Sequence, residues 1–193
     1  MKKDGTVVAV FADHHPVEAA VKRLAEVGFD KKNLSVVGKG YHTNKNDGGF
    51  YSTGDRIKFW GELGTFWGGL LGWFGGLFLT IPVVGHVIVL GSTAAIFISV
   101  IESAIEGAIG GAIAAGGLSA LGAALCGIGI PKDSAIAYEE DVKTDRFLVM
   151  AHGSAEEVER GGTVLKEFDP LRLDVHKGAK TPDADDHPAH AES

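Results

Sequence analysis

Apolar and polar positions follow one pattern at both ends of this chain and another in its middle. Near the start, TVVAVFADHHPVEAAVKRLAEVGFDKKNLSVVGK predicts a strand from Thr6 to Ala12, a helix from about Pro16 to Val27 and a strand from Leu34 to Val37. Near the end, RFLVMAHGSAEEVERGGTVLKEFDPLRLDVH repeats the order, with a strand from Phe147 to Ala151, a helix from about Ala155 to Phe168 and a strand from Leu171 to Val175. The units align almost without gaps: Glu18 matches Glu157, Phe29-Asp30 matches Phe168-Asp169, and Leu34 to Val37 matches Leu171 to Asp174. Pro16 suits a first helical turn, Ser154 suits a cap, and Glu156 with Glu157 suits the positive end of a helix dipole. Two such units in one sheet predict an α+β, ferredoxin-like split βαβ domain over residues 1–38 and 131–177.

The middle is different. Residues 39–56 are polar and turn-rich and predict a linker. Residues 57–130 form a glycine-rich hydrophobic insertion, without Asp, Glu, Lys or Arg between Glu62 and Glu102 and again from Gly107 to Pro131. Gly64, Gly68, Gly72 and Gly76 recur every fourth residue, and so do Ser99, Ser103, Gly107, Gly111, Ala115, Ser119, Ala123 and Gly127. On helices this spacing makes a smooth ridge on one face where another backbone can approach, so a helical hairpin with small-residue packing is predicted. PVVGH at residues 82–86 supplies its turn. Glycine costs about 1 kcal/mol against alanine in an exposed helix, so tight packing or lipid has to compensate.

Length favours the lipid. At about 1.5 Å per residue, Phe59 to Thr80 covers about 33 Å, against a hydrocarbon core of about 30 Å. Phe59 and Trp60 beside Arg56 and Lys58 resemble an aromatic belt with a positive flank. If both βαβ units share a sheet, the two ends of the insertion lie on one side of any membrane, so an even number of spans, a re-entrant hairpin or no crossing is allowed. Glu102 and Glu106 are the only acids in the long second stretch, and four apart they share a helical face, either at a contact or along a polar path.

Charge and chemistry narrow the classes. The net charge of -7 argues against a nucleic-acid binder, since phosphate contacts need a basic surface and the sequence concentrates none. The single cysteine, Cys126, forms no intrachain disulfide and reads as a buried small hydrophobe. The opening residues start like a signal peptide, but Asp13, His14 and His15 break the apolar run, so a cytoplasmic start is expected. No phosphate-binding Gly-Lys-Ser or Gly-Lys-Thr, GxSxG elbow or cysteine–histidine pairing is present, so neither cofactor nor catalytic residue is predicted. With the first and third strands taken as adjacent and parallel, Asp13, His14 and His15 approach His152; these are weak metal candidates without a recognised ligand spacing. Residues 178–193, rich in Pro, Ala and acids, predict a disordered tail.

VVAVFADHHPVEAAVKRL, NLSVVGK, a glycine-rich hydrophobic segment with IPVVG, and GIPKDSAIAYEEDVKTDRFLVMAHGSAEEVE together resemble the bacterial general stress (heat- or low-temperature-induced) protein domain family, whose longer members are often labelled putative permeases or membrane proteins. The resemblance covers about residues 5 to 176. It implies a stress-associated, membrane-linked role without a known enzymatic activity and supplies no catalytic residues. At a turn where that family commonly has glycine, this chain has Thr144-Asp145-Arg146. The leading expectation is therefore a non-enzymatic homo-oligomer of the cytoplasmic membrane, its ferredoxin-like domain in the cytoplasm and its partners the bilayer and itself. Two alternatives are a soluble self-assembling structural protein with buried hairpins, and a transporter or channel component using Glu102 and Glu106.

Overall fold

A computed structural model describes residues 4–39, 65–81, 84–91, 94–95, 98–99 and 118–177. Its first unit is β1 (Asp4–Phe11), α1 (His14–Glu26), a short 3-10 turn (Lys31–Asn33) and β2 (Leu34–Lys39). Residues 65–74 form helix α2, followed by β3 (Gly76–Ile81), β4 (Gly85–Gly91) and α3 (Ala120–Gly127). The last part holds α4 (Lys132–Lys143), β5 (Phe147–Ser154), α5 (Ala155–Lys166) and β6 (Arg172–Lys177). The fold is α+β.

The six strands make one sheet in the order β3-β4-β2-β5-β1-β6, and every neighbouring pair is antiparallel. The two βαβ units interleave: β5 lies between β1 and β2, and β1 lies between β5 and β6. This corrects the expected direction of the first and third strands, which are adjacent but antiparallel. Within each unit a helix crossover returns the chain so that both strands run the same way, but each strand's neighbour in the sheet comes from the other unit.

Both faces of the sheet are covered. On one, Val7, Ala9 and Phe11 of β1 and Phe147, Val149 and Ala151 of β5 pack under α1, α2 and α5. On the other, Val8, Val10, Leu148 and Met150 pack under Leu121, Ala124 and Leu125 of α3 and Ala135, Tyr138 and Val142 of α4. An antiparallel sheet commonly leaves one face wet and then alternates along its strands; burial on both faces accounts for the unbroken apolar runs VVAVF and FLVMA.

The helical reading of residues 57–130 is overturned between Gly75 and Gly91. Gly75 closes α2 with a left-handed φ of 68°, its N–H bonded to Leu71 O at 2.9 Å, and the chain turns into β3. β3 then pairs with β4 from Gly76↔Leu90 to Ile81↔Gly85, and β4 pairs with β2 from Ser35↔Gly91 to Lys39↔Val87. Val87, Ile88 and Val89 suit a strand better than a helix, because branching at Cβ favours the extended chain. Among the described residues no helix is long and apolar enough to cross a membrane. The span expected from Phe59 to Thr80 stops at residue 74, so the expected membrane protein is unsupported; Glu102 and Glu106, on which the transporter reading rests, lie outside the described residues.

Candidate functional site

Local chemistry fixes the frame around each polar cluster. Asp13 caps α1, its Oδ1 accepting from His14 N at 2.6 Å, and the buried residues Val17, Ala20, Val21 and Leu24 keep one helical stripe on the sheet. Ser154 caps α5, as expected, and the structure shows that it does so in a capping box with Glu157. Ser119 caps α3, and Glu139 Oε2 accepts from both Ser119 Oγ at 2.7 Å and Ser119 N at 3.3 Å, tying the start of α3 to α4. Burial works to raise the Glu139 carboxyl, but hydrogen bonds from Lys143 and Ser119 outweigh it and hold the group below its ordinary value.

A polar seam crosses the sheet beneath α4. Thr6 on β1 stands opposite His176 of β6 on one side and His152 of β5 on the other. Thr6 Oγ1 lies 2.8 Å from His152 Nδ1, and Ser35 Oγ lies 3.5 Å from His152 Nε2. His152 is 1% exposed, and burial lowers its pKa to about 4, so the ring is neutral at pH 7. At the β6 edge, Tyr138 Oη donates to Asp174 Oδ2 at 2.9 Å and lies 2.8 Å from His176 Nε2. With that hydroxyl proton given to Asp174, the imidazole donates from Nε2. Arg172 bonds Asp141 at 2.6 Å, reaches Asp174 at 3.1 Å and lies 4.6 Å over the Tyr138 ring, while Arg146 bonds the other Asp141 oxygen at 2.7 Å.

This seam holds elements together. Burial, then the hydrogen bond to Asp174, push the Tyr138 hydroxyl well above its ordinary pKa, so at neutral pH it serves as a donor and not as a base. Burial lowers the His176 pKa, with Asp174 acting in the opposite direction. Sequence reasoning missed these residues because their partners come from α4 and β6, which only the folded sheet brings together.

The sequence-derived candidates separate. Asp13, His14 and His15 present ligand atoms all within 4.8 Å of one another, but Asp13 already caps α1, and the positive helix end disfavours a cation. His152 is not among them, because the antiparallel pairing sets it opposite Thr6 at the other end of the sheet. Gly76 belongs to β3 and not to a helical ridge; a Cβ there meets the Leu90 side chain. Ser99 is exposed. Gly64, Ser103, Gly107, Gly111 and Ala115, with Glu102 and Glu106, lie outside the described residues.

Gly68 and Gly72 sit on the outer face of α2, where Gly69 joins them, and among the described residues nothing lies within 4 Å of a Cβ built on any of the three. Phe66, Trp67 and Leu70 anchor the opposite face in the core. Beside the bare face a groove of 350 Å³ runs between α1 and α2, floored by Val21, Phe66 and Leu70 and rimmed by Glu18, Lys22 and Trp73. Trp73 is 38% exposed, with the Lys31 ammonium 5.8 Å from its ring centre. Comparison of the chain with protein-family models, with curated proteins and with solved structures returns no match.

Proposed function

We propose that this chain is a non-enzymatic structural protein that assembles from copies of itself. The bare face of α2 is the observation that carries the reading. Three exposed glycines in one short helix weaken it by about 1 kcal/mol each relative to alanine, a cost offset where a second backbone packs on them. The adjoining apolar groove and Trp73 give such a neighbour a place to bury side chains. The ferredoxin-like reading of the core draws support from the order β6-β1-β5-β2 within the larger sheet. The resemblance to general stress proteins supports a stress-associated role.

Light scattering after size exclusion tests the assembly. Gly68→Leu and Gly72→Leu raise helix propensity, so the fold should persist while bulk on the bare face drives neighbours apart. Smaller particles are expected from either variant; an unchanged size distribution with an intact fold overturns the role of α2.

A further inference from the structure

We propose that the free edge of β6 receives β6 of a second copy, antiparallel about a two-fold axis, so that two sheets join into one. The inference rests on the reading that copies of this chain associate, and it names a surface different from α2.

β6 is the last strand on its side of the sheet, paired only with β1, so its outer backbone groups have no strand partner among the described residues. It also carries unusual apolar exposure for an edge. Leu171, the residue just before β6, is 56% exposed and Val175 49% exposed; two-residue alternation places both on the side of Leu173. A groove of 600 Å³ opens along that face, lined by Gly5, Ala155, Val158, Glu159, Val175 and Lys177.

The side chains choose the occupant and the register. In an antiparallel self-pairing centred on Leu173, Leu173 faces Leu173 of the second copy, and Leu171 faces Val175 of the second copy at the mouth of the groove. On the opposite face, Arg172 then stands across from Asp174 of the second copy, so two pairs of opposite charge form by symmetry. Centring on Asp174 sets that carboxylate against itself. Centring on Val175 sets Leu173 against Lys177. Only the Leu173 register matches apolar to apolar and positive to negative, and the match is to the strand's own sequence, which favours a second copy over an unrelated partner.

Directly opposed residues in an antiparallel pair have Cα atoms about 4.5–5.5 Å apart, within disulfide reach. The full chain carrying Cys126→Ala with either Leu173→Cys or Val175→Cys is therefore oxidised and run on a non-reducing gel, and its mass is followed by sedimentation. The Leu173→Cys chain is expected to form covalent dimers at least tenfold faster than the Val175→Cys chain, and Gly72→Leu should leave this cross-link in place. Oligomers in sedimentation without a Leu173→Cys cross-link overturn the edge pairing but leave self-assembly standing. Monomers with no cross-link overturn both. Cross-linking that needs deletion of residues 178–193 shows the chain's own tail on the edge, and preferential Val175→Cys cross-linking contradicts the register; either result overturns the proposal.

Discussion

Tyr138 of α4 donates its buried hydroxyl to Asp174 of β6 across 2.9 Å, and this bond fastens a helix on one face of the sheet to the sheet's edge strand. The same oxygen meets His176, so one atom serves two partners. Tyr138→Phe keeps the packing ring and removes the bond. We expect a loss of about 1–2 kcal/mol in urea unfolding, because Asp174 and His176 both lose a partner. A loss below the precision of the method contradicts the fastening role.

His152 gives stability a defined pH dependence. Its folded pKa of about 4 lies below the ordinary value of 6.5, so between these limits the unfolded chain binds more protons than the folded one. The contribution is complete above about pH 6.5 and is lost as pH falls toward 4, amounting to roughly 3 kcal/mol. Glu139, whose folded pKa is lowered from 4.5, loses its contribution only under more acidic conditions. His152→Gln should flatten the slope of unfolding free energy between pH 6.5 and 4; an unchanged slope removes His152 as its source.

Gly91 tests whether the middle of the chain is part of the sheet. Its φ of 82° is left-handed, and a Cβ there runs into the carbonyl of Leu34 on β2. Gly91→Ala therefore combines backbone strain with a clash at the β2–β4 pairing, and a destabilisation of about 2 kcal/mol or more is expected. Hydrogen exchange should show faster opening of the β2 and β4 amides in this variant. Undisturbed exchange there contradicts the pairing.

The two ends of the chain were legible because each element carries its own local signal. The apolar runs VVAVF and FLVMA, the Ser154 cap and the acids that follow it need no distant partner to be recognised. Strand direction was not legible, since it depends on how two units interleave. The β3–β4 hairpin was masked by a coincidence of spacing: Gly68, Gly72 and Gly76 keep a four-residue period although Gly75 ends the helix between the last two. Val87, Ile88 and Val89 offered the competing signal, and tertiary pairing with β2 decided it. Tyr138, Asp174 and His176 escaped because nothing in their spacing brings α4 over β6. In the turn before β5, Asp145 takes a left-handed φ of 65° and its carboxylate pairs with Lys39 at 3.1 Å.

Self-association is the central claim, and the mass of the purified full chain in solution measures it most directly. Sedimentation across a wide concentration range should reveal species larger than the 20.2 kDa protomer, with their fraction rising with concentration. A single species of protomer mass at every concentration contradicts the account.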